Sequence, residues 1–380
     1  MRSSSRGEVD PFIVMDVMEA ARQLEQGGRH IIHMEVGQPG TPAPAPARAA
    51  LADAMERDAL GYTVALGLPE LRAGIADLYR DWYGVTLDPG RVVVTAGSSA
   101  AFVLAFTALF DAGERVGVTE PGYPSYRQIL KSLDLVPVGL PTFAEARHVP
   151  ALPKGSLDGL IVASPANPTG TMLSKADLSG LISACDVQGT TFISDEIYHG
   201  VQYGAPAVSA LEVSDEVYVI NSFSKYFSMT GWRLGWMVVP EAHVRRIERL
   251  AQNMFICAPH AAQVAALGAL SARDETEAML EVYAANRALM LDGLPKAGFD
   301  RIAPPDGAFY VYADVSEWTQ DSLQFCREVL EEAGVAITPG LDFDPVRGHQ
   351  TVRFSYARAT ADIVEGLARL QRFMAGRARL

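Results

Sequence analysis

The feature of this sequence that most constrains its fold is an alternation of apolar, β-prone runs with helical patterns between residues 91 and 239. One of these runs, Val217–Ile220, shows no polar alternation, which is typical of a strand buried on both faces of a parallel sheet. The predicted strands are Arg91–Thr95, Arg115–Thr119, Asp158–Ala163, Thr190–Ser194, Val217–Ile220 and Leu234–Val239. Strands that alternate with helices predict an α/β fold whose ligand lies at the carboxyl ends of a mostly parallel sheet.

The composition is typical of a large globular protein that acts on small molecules. The chain has 380 residues, enough for one large domain and a smaller one, and 49% of them are apolar and 20% charged. Its 45 acidic residues exceed its 32 basic ones, which gives a net charge of −13. Because nucleic-acid binding depends on basic patches, this charge argues against a nucleic-acid partner.

Cysteine usage and hydropathy predict a cytoplasmic protein without a membrane segment. Cys185, Cys257 and Cys326 lie far apart and form no C-x-x-C pair, which favours the reducing cytosol. The segment Met1–Gly7 is polar and lacks the apolar stretch of a secretory signal. The longest apolar runs, such as Ala100–Phe110, are too short to span a bilayer, and we interpret them as core helices.

A lysine that follows the run Val217–Ile220 is the strongest candidate for chemistry. Lys225 lies among serines and aromatic residues, where desolvation would favour a neutral, nucleophilic amine. Arg233, a permanent cation in apolar surroundings, calls for a fixed anion, and with Ser222 and Ser224 it could hold a phosphate. The alternative for Lys225 taken alone is an ordinary solvated lysine.

The string from Ser222 to Gly235, S-x-S-K-x-x-x-x-x-G-x-R-x-G, resembles the lysine region of class I/II aminotransferases. These are fold-type-I enzymes that use pyridoxal 5′-phosphate. The resemblance implies that Lys225 carries the cofactor as an internal aldimine and that Ser222, Ser224 and Arg233 bind its phosphate. It extends over ordered blocks from about residue 10 to about residue 375, and it implies seven strands in the large sheet and a smaller α+β domain built from both termini.

Two further segments resemble phosphate-binding blocks of this family. Ser98 and Ser99 stand at a predicted helix N-terminus, where free N–H groups and the helix dipole favour an anion. N-capping alone is the alternative. The block Y-T-x-x-x-G-x-x-E-L-R begins at Tyr62, and the resemblance implies that Tyr62 reaches the cofactor phosphate of a neighbouring subunit in a homodimer with shared active sites. A buried aromatic at a loop is the alternative for Tyr62.

Three more strand ends carry candidates for the cofactor ring. The resemblance implies that Tyr123 stacks on the pyridine ring. It also implies that the amide of Asn167, in the string N-P-T-G, donates to the ring oxygen O3′, although a plain turn is the alternative. The carboxylate of Asp195 can pair with the pyridinium nitrogen and preserve the ring as an electron sink. Tyr198 could share the O3′ contact.

We assign no chemistry to three neighbours of these residues. Tyr126 continues the helix that follows Tyr123 and is interpreted as structural. Glu196 is adjacent to Asp195, so the two side chains point apart. His199 has no second ligand at a useful spacing, and we therefore expect no metal site.

Two blocks are candidates for binding the substrate beside Asn167. Gly37 lies in a turn similar to V-G-x-P, where a backbone amide without side-chain bulk can approach the substrate carboxylate; a strand-ending turn is the alternative. Arg353 lies inside a predicted strand, where a charge is costly unless paired. The matching string R-x-S-x-A implies that Arg353 binds the α-carboxylate bidentately, and an exposed edge-strand arginine is the alternative.

These residues predict a transaminase that moves the amino group of an L-amino acid to a 2-oxo acid through pyridoxamine phosphate. Freed Lys225 would act as general base and acid. Some relatives that use dicarboxylates place a lysine near Ser99, and its absence favours a neutral or aromatic donor over aspartate. The alternatives are a β-lyase on the same fold and, in another class, a non-catalytic regulator that binds pyridoxal phosphate, which would need a DNA-binding module for which the chain leaves no space.

The predicted domains are an N-terminal segment, 1–42, that contributes to the small domain, a large cofactor-binding domain, 43–284, and a small C-terminal domain, 285–380. Outside the large sheet we predict strands over Ile31–Val36 and Gly334–Thr338 and helices over Glu241–Ala297 and Asp321–Ala333.

Overall fold

The computed structural model describes residues 2–153, 155 and 157–380; Met1, the first residue of the predicted N-terminal segment, lies outside these ranges. Strands and helices of the described chain are numbered in chain order. The strands are β1 Ile32–His33, β2 Val92–Thr95, β3 Arg115–Glu120, β4 Val136–Pro141, β5 Gly159–Ala163, β6 Thr191–Asp195, β7 Tyr218–Ser222, β8 Gly235–Val238, β9 Arg301–Ile302, β10 Tyr310–Asp314, β11 Val335–Ala336, β12 Thr338–Pro339 and β13 Thr351–Ser355. The helices are α1 Ile13–Gln26, α2 Ala45–Arg57, α3 Pro69–Tyr83, α4 Gly97–Leu109, α5 Pro124–Ser132, α6 Lys175–Gln188, α7 Glu241–Met254, α8 His260–Leu270, α9 Arg273–Lys296, α10 Ser322–Glu328 and α11 Thr360–Ala375.

Seven strands form one sheet in the order β2-β8-β7-β6-β5-β3-β4. Neighbours in this sheet are parallel except for β8, which runs antiparallel to both β2 and β7. The predicted seven-stranded, mostly parallel sheet flanked by helices is thus confirmed. Because β2 points the same way as β7, every strand but β8 ends at the same edge, and the loops that follow these strands meet there.

Apolar side chains cover both faces of the large sheet, as the lack of polar alternation predicts. Along β7, Tyr218 and Ile220 belong to one buried cluster, whereas Val219 belongs to another. The apolar run that we interpret as a core helix forms α4, which packs on β7 and β8 and against α7. Among the residues that the structure describes, no helix is both long enough and apolar enough to cross a membrane.

Two smaller sheets join residues from both ends of the chain. A four-stranded antiparallel sheet has the order β12-β13-β10-β9. A two-stranded sheet pairs β1 with β11 in parallel, with Ile32 opposite Val335. Segments near the two termini therefore share backbone hydrogen bonds, which places the start of the chain beside β13.

The observed elements in this region are shorter than predicted, because their pairing partners change. The predicted strand over Ile31–Val36 is reduced to β1: Met34 donates to Ala336 O but accepts from Ser355 N, so the chain leaves one sheet for the other. The predicted strand over residues 334–338 splits in two, since β11 pairs with β1 whereas β12 pairs with β13. The predicted helix over residues 321–333 consists of α10 and a π-helical turn, Val329–Ala333.

The predicted helical stretch over residues 241–297 contains α7, α8 and α9. The last of these has 24 residues and runs without interruption through the predicted domain boundary between residues 284 and 285. The division into segments 1–42, 43–284 and 285–380 therefore stays a prediction.

Candidate active site

A cavity of about 180 Å³ lies at the edge where the parallel strands of the large sheet end. Its wall combines loops from that sheet with residues of α1, β10 and β13. Most of the predicted site residues line it, namely Gly37, Ser98, Ser99, Tyr123, Asn167, Asp195, Tyr198, Ser224, Lys225, Arg233 and Arg353. Ser222 and Tyr62 are the two predicted residues that do not.

Lys225 lies on the loop between β7 and β8, and its amine points into the cavity. Its Nζ donates to the carbonyl oxygen of Gly37 at 2.6 Å and lies 5.5 Å from the centre of the Tyr198 ring. Burial lowers the pKa of Lys225 to about 7, helped by the guanidinium groups of Arg353 and Arg233 and opposed by the Asp195 carboxylate. A large fraction of this amine is consequently neutral near pH 7, as a nucleophile or a general base requires.

Asp195 ends β6 and is buried on the floor of the cavity, where it is 2% exposed. It accepts hydrogen bonds from the Tyr126 hydroxyl and, at 3.1 Å, from Ile197 N. Burial raises the pKa of Asp195 to about 6, and these two bonds and the charge of Lys225 oppose the rise. Tyr126, which we interpret as structural, also lines the cavity and contacts a predicted catalytic group.

The first turn of α4 and the loop after β7 together line one side of the cavity, which is here called the serine pocket. The hydroxyls of Ser98, Ser99 and Ser224 face the cavity beside the Arg233 side chain. The structure shows why glycine stands at the start of α4: Gly97 has a φ of +77°, and a Cβ there would lie 2.3 Å from Arg233 Nη2. The guanidinium can thus approach the helix N-terminus, where two positive groups face the same space.

Ser222 lies beneath this pocket instead of in its wall. Its hydroxyl donates to Leu234 O at 3.0 Å, accepts from Ser224 N at 3.0 Å, and lies 2.9 Å from the Ser224 hydroxyl. The side chain therefore orients Ser224 and joins the two ends of the lysine loop. A direct contact between Ser222 and phosphate stays a prediction.

Arg353 comes from β13 and is buried, being only 2% exposed, which excludes the exposed-edge alternative. Its guanidinium carbon lies 4.3 Å from the ring centre of Tyr310 and 4.6 Å from that of Phe343. Nη1 donates to Asn167 Oδ1 at 2.8 Å, and Nη2 donates to the carbonyl oxygen of Glu35. Its Nε is buried and has no hydrogen-bond partner among the described residues, while the Arg353 side chain lines the cavity.

The contact with Arg353 also fixes the orientation of Asn167. A guanidinium can only donate, so Oδ1 of Asn167 must face it and the amide nitrogen must face elsewhere. The amide therefore remains free to donate to a ligand in the cavity. This geometry agrees with a role beyond the turn that is the alternative for Asn167.

Gly37 and Tyr310 approach each other so closely that a side chain is excluded. A Cβ on Gly37 would lie 1.7 Å from the Tyr310 hydroxyl, which itself lies 2.6 Å from the Tyr198 hydroxyl. Tyr310 is thus a residue that the sequence reasoning missed. The alternation in Tyr310-Val-Tyr312 could have suggested that both tyrosines face one side of their sheet, but nothing in the pattern indicates which side faces the cavity.

Tyr62, Glu196 and His199 lie outside the cavity wall. Tyr62 is 83% exposed, which excludes the buried-aromatic alternative in this chain. Glu196 accepts from Ser194, Ser209 and Ala210 N, and burial raises its pKa to about 8. His199 Nε2 donates to Ser164 O, while the Tyr83 hydroxyl contacts Nδ1; burial lowers the pKa of His199 to about 3. Both groups are held by structural bonds.

Comparison with known proteins agrees with this geometry. Residues 29–370 match the family model described as "Aminotransferase class I and II". The chain is 48% identical over 378 residues to the valine–pyruvate aminotransferase of Mycobacterium tuberculosis, and the match covers 97% of each chain. A solved structure from Silicibacter pomeroyi is 66% identical, with a TM-score of 0.94 over 99% of this chain and 100% of that one. A crystal structure of an aminotransferase from Mycobacterium tuberculosis is 47% identical, with a TM-score of 0.97 over the same shares.

The fold and the cavity define a fold-type-I enzyme whose cofactor is pyridoxal phosphate. This chain belongs to the family of class I and II aminotransferases. It is an enzyme that moves an amino group between an amino acid and a 2-oxo acid, as the resemblance in its sequence predicts.

Proposed function

We propose that Lys225 bonds to pyridoxal phosphate and moves the proton of the transamination reaction, and that Arg353 binds the α-carboxylate of the amino acid. The observation that carries this proposal is the convergence of a lysine with a pKa of about 7, a buried carboxylate and a buried guanidinium on one cavity. The three groups arrive from separate parts of the chain and match three chemically different parts of the reacting complex.

The residues of the cavity fit the cofactor at each of its polar groups. The hydroxyls of Ser98, Ser99 and Ser224 and the Arg233 guanidinium suit a phosphate dianion. The carboxylate of Asp195 suits a protonated ring nitrogen. Tyr123 also lines the cavity and offers its ring as a stacking partner. When bound, the cofactor supplies a protonated pyridine ring that takes up electrons as the Cα–H bond breaks.

Each protein group then has one task in the proposed reaction. Arg353 binds the α-carboxylate with its guanidinium and so orients Cα–H relative to the lysine. The Lys225 amine accepts the α-proton and returns it elsewhere on the reacting complex, which its lowered pKa permits near neutral pH. Asp195 keeps a proton on the ring nitrogen. The amide of Asn167 and the hydroxyl of Tyr198 hold the ring oxygen O3′.

The test is a half-reaction with a matched variant. The holoenzyme is mixed with single L-amino acids, and its absorbance is followed for conversion to the pyridoxamine form. Borohydride reduction followed by peptide mapping should place the cofactor on Lys225, and Lys225→Ala should show neither the adduct nor the conversion. An adduct on another lysine contradicts the proposal, and release of pyruvate and ammonia without an acceptor indicates a β-lyase.

We further propose a homodimer in which Tyr62 reaches the phosphate site of the partner subunit. Tyr62 and Val64 are exposed apolar residues, and His260 Nδ1 contacts Gly61 O at 2.8 Å, which ties their loop to the start of α8. Phe255 and Ile256, in the segment that precedes α8, are also exposed. Exposed apolar residues of this kind favour contact with a second protein surface. Light scattering should show that the protein is a dimer, and Tyr62→Phe should weaken the binding of the cofactor to that dimer. A monomer whose cofactor affinity is unchanged by Tyr62→Phe contradicts the proposal.

A cytoplasmic location and the two-domain division complete the proposal. Cys185, Cys257 and Cys326 are all free thiols, which agrees with a reducing compartment. The large sheet uses residues 92–238, whereas the smaller sheets use residues 32–33 and 301–355. This supports one boundary between residues 33 and 92 and a second between residues 238 and 301, a range that includes the whole of α9. Cell fractionation tests the location, and limited proteolysis near these boundaries tests the division.

A further inference from the structure

The segment at the start of α1 forms an apolar wall of the cavity. Phe12, Val14 and Met15, here called the N-terminal wall, line the cavity. The Phe12 ring meets the Tyr123 ring edge-on, with the centroids 6.0 Å apart. The cations that line the cavity are Lys225, Arg233 and Arg353. Each has a role in the proposed function, so among the described residues none of these cations is left to pair with a side-chain carboxylate.

A carboxylate from the other end of the chain fixes the N-terminal wall. Phe12 stands at the N-cap of α1 and offers no side-chain cap, yet the first N–H groups of a helix have no partner within the helix. The Asp342 carboxylate is the acceptor for two of these N–H groups. Ile13 N donates to Oδ1 at 3.0 Å, and Val14 N donates to Oδ2 at 3.3 Å. Asp342 is 3% exposed, so these charge-assisted bonds are shielded from water.

A second, weaker anchor acts on the same segment. Asp10 N donates to Gln128 Oε1 at 3.1 Å, and Lys131 Nζ donates to Asp10 Oδ2 at 2.7 Å. These groups are exposed, and exposed ion pairs contribute little. Asp342 is also next to Phe343, whose ring stacks on Arg353. The buried anchor of the wall therefore lies beside the proposed carboxylate-binding group.

We infer that Asp342 is a positioning residue for the donor's side chain: it holds the N-terminal wall against the cavity, and the wall selects amino acids with apolar side chains larger than a methyl group. This inference rests on the proposed function, in which Arg353 binds the α-carboxylate. Each additional methyl group buried against the wall adds binding energy. An aspartate side chain would bring a charge to a surface that offers it no partner.

The first test compares kcat/KM of the holoenzyme for L-valine, L-leucine, L-alanine and L-aspartate. The wild type should prefer valine and leucine over both alanine and aspartate. Asp342→Asn should lower the valine-to-alanine ratio of kcat/KM about tenfold, because alanine does not reach the wall. A purely structural role would reduce both donors equally, and that result overturns the inference, as does a wild type that prefers alanine or aspartate.

A second pair of variants tests the same bond from the donor side. Ile13 is the first helical residue, a position that tolerates proline, and Phe12 already has the extended conformation that a following proline requires. Ile13→Pro removes one N–H donor to Asp342 and leaves its carboxylate and Arg353 unchanged. It should lower the valine-to-alanine ratio relative to Ile13→Ala, which keeps the N–H. Equal ratios in these two variants contradict the inference.

Asp344→Asn is the matched control for the carboxylate. Asp344 is also buried, but its hydrogen bonds go to Arg347 and to backbone N–H groups of its own loop, whereas those of Asp342 go to α1. Its substitution should leave the valine-to-alanine ratio of kcat/KM unchanged. A change as large as that caused by Asp342→Asn overturns the inference on Asp342. A wild type that turns over no amino acid refutes the proposed function, whereas turnover without the expected ratios refutes only the inference on Asp342.

Discussion

At the scale of single residues, the cavity is governed by ionisable groups removed from water. Lys225 and Asp195 have pKa values shifted toward each other, to about 7 and about 6, and burial is the largest cause in both. Burial favours the neutral form of each group, whereas their mutual attraction favours the charged forms. The cavity thus keeps the pKa values of both groups close to neutral pH.

The pKa of Lys225 predicts how the cofactor-free protein reacts with pyridoxal phosphate. The neutral amine is the reactive form, so the rate should fall about tenfold per pH unit below pH 7 and level off above it. An ordinary lysine would keep gaining reactivity up to its usual pKa of about 10.4. Stopped-flow absorbance measures the rate, and Lys225→Ala provides the baseline. A rate that still rises steeply above pH 9 contradicts the shifted pKa.

Tyr126→Phe tests the hydroxyl that contacts Asp195. Loss of a hydrogen bond to a buried carboxylate should raise the pKa of Asp195 further. Less of Asp195 would then be ionised to pair with the protonated ring nitrogen, so kcat/KM should fall about tenfold. Tyr83→Phe makes the same chemical change at a partly buried tyrosine that contacts His199 outside the cavity. It should leave kcat/KM within about twofold of the wild type. Equal losses in the two variants would show that Tyr126→Phe acts by destabilising the protein and not through Asp195.

At the scale of elements, most of the side chains that we propose to bind the cofactor lie where strands or helices begin or end. The lysine loop joins β7 to β8, Asp195 ends β6, and Ser98 opens α4. Such positions follow from the sequence, since each polar group comes directly after an apolar run. Tyr126, Tyr310 and Phe12 were not predicted, because their roles depend on which face of an element meets the cavity. That choice is made by tertiary packing, which local pattern does not encode.

The contact between Gly37 and β10 predicts that this site cannot accept even a methyl group. Gly37→Ala should displace Tyr310 and reduce the free energy of unfolding by about 2 kcal/mol, with a loss of kcat/KM of about a hundredfold. Gly180→Ala is the control, because a Cβ there meets no atom within 4 Å and alanine favours the interior of α6. Chemical denaturation and steady-state kinetics measure both; unchanged activity in Gly37→Ala would refute the close contact.

At the scale of the whole molecule, Arg347 connects the smaller sheets to the large one. It lies before β13, forms an ion pair of 2.7 Å with buried Asp344, and donates to the carbonyl oxygens of Thr142, at 3.0 Å, and Glu120. Nothing in the sequence around Arg347 indicates these long-range contacts. The alternation of strands and helices made the class of sheet predictable. The connection through Arg347 depends on how the smaller sheets pack against the large one.

Arg347→Ala should therefore destabilise the protein by about 2 kcal/mol, because it leaves the Asp344 carboxylate buried without its partner. Arg245→Ala removes an arginine of an exposed ion pair within α7 and should change stability by less than about 0.5 kcal/mol. Urea denaturation followed by circular dichroism compares the two variants. Equal midpoints would show that Arg347 does not connect the sheets.

The lysine loop and the N-terminal wall meet in space although they come from distant parts of the chain. Mutations can therefore change one segment without changing the other. If the wall selects the donor as we infer, substitutions at residues 12, 14 and 15 change which amino acids are accepted and leave the chemistry of the lysine loop unaltered. Proteins descended from this one would then differ in the amino acids that they use and share the same reaction.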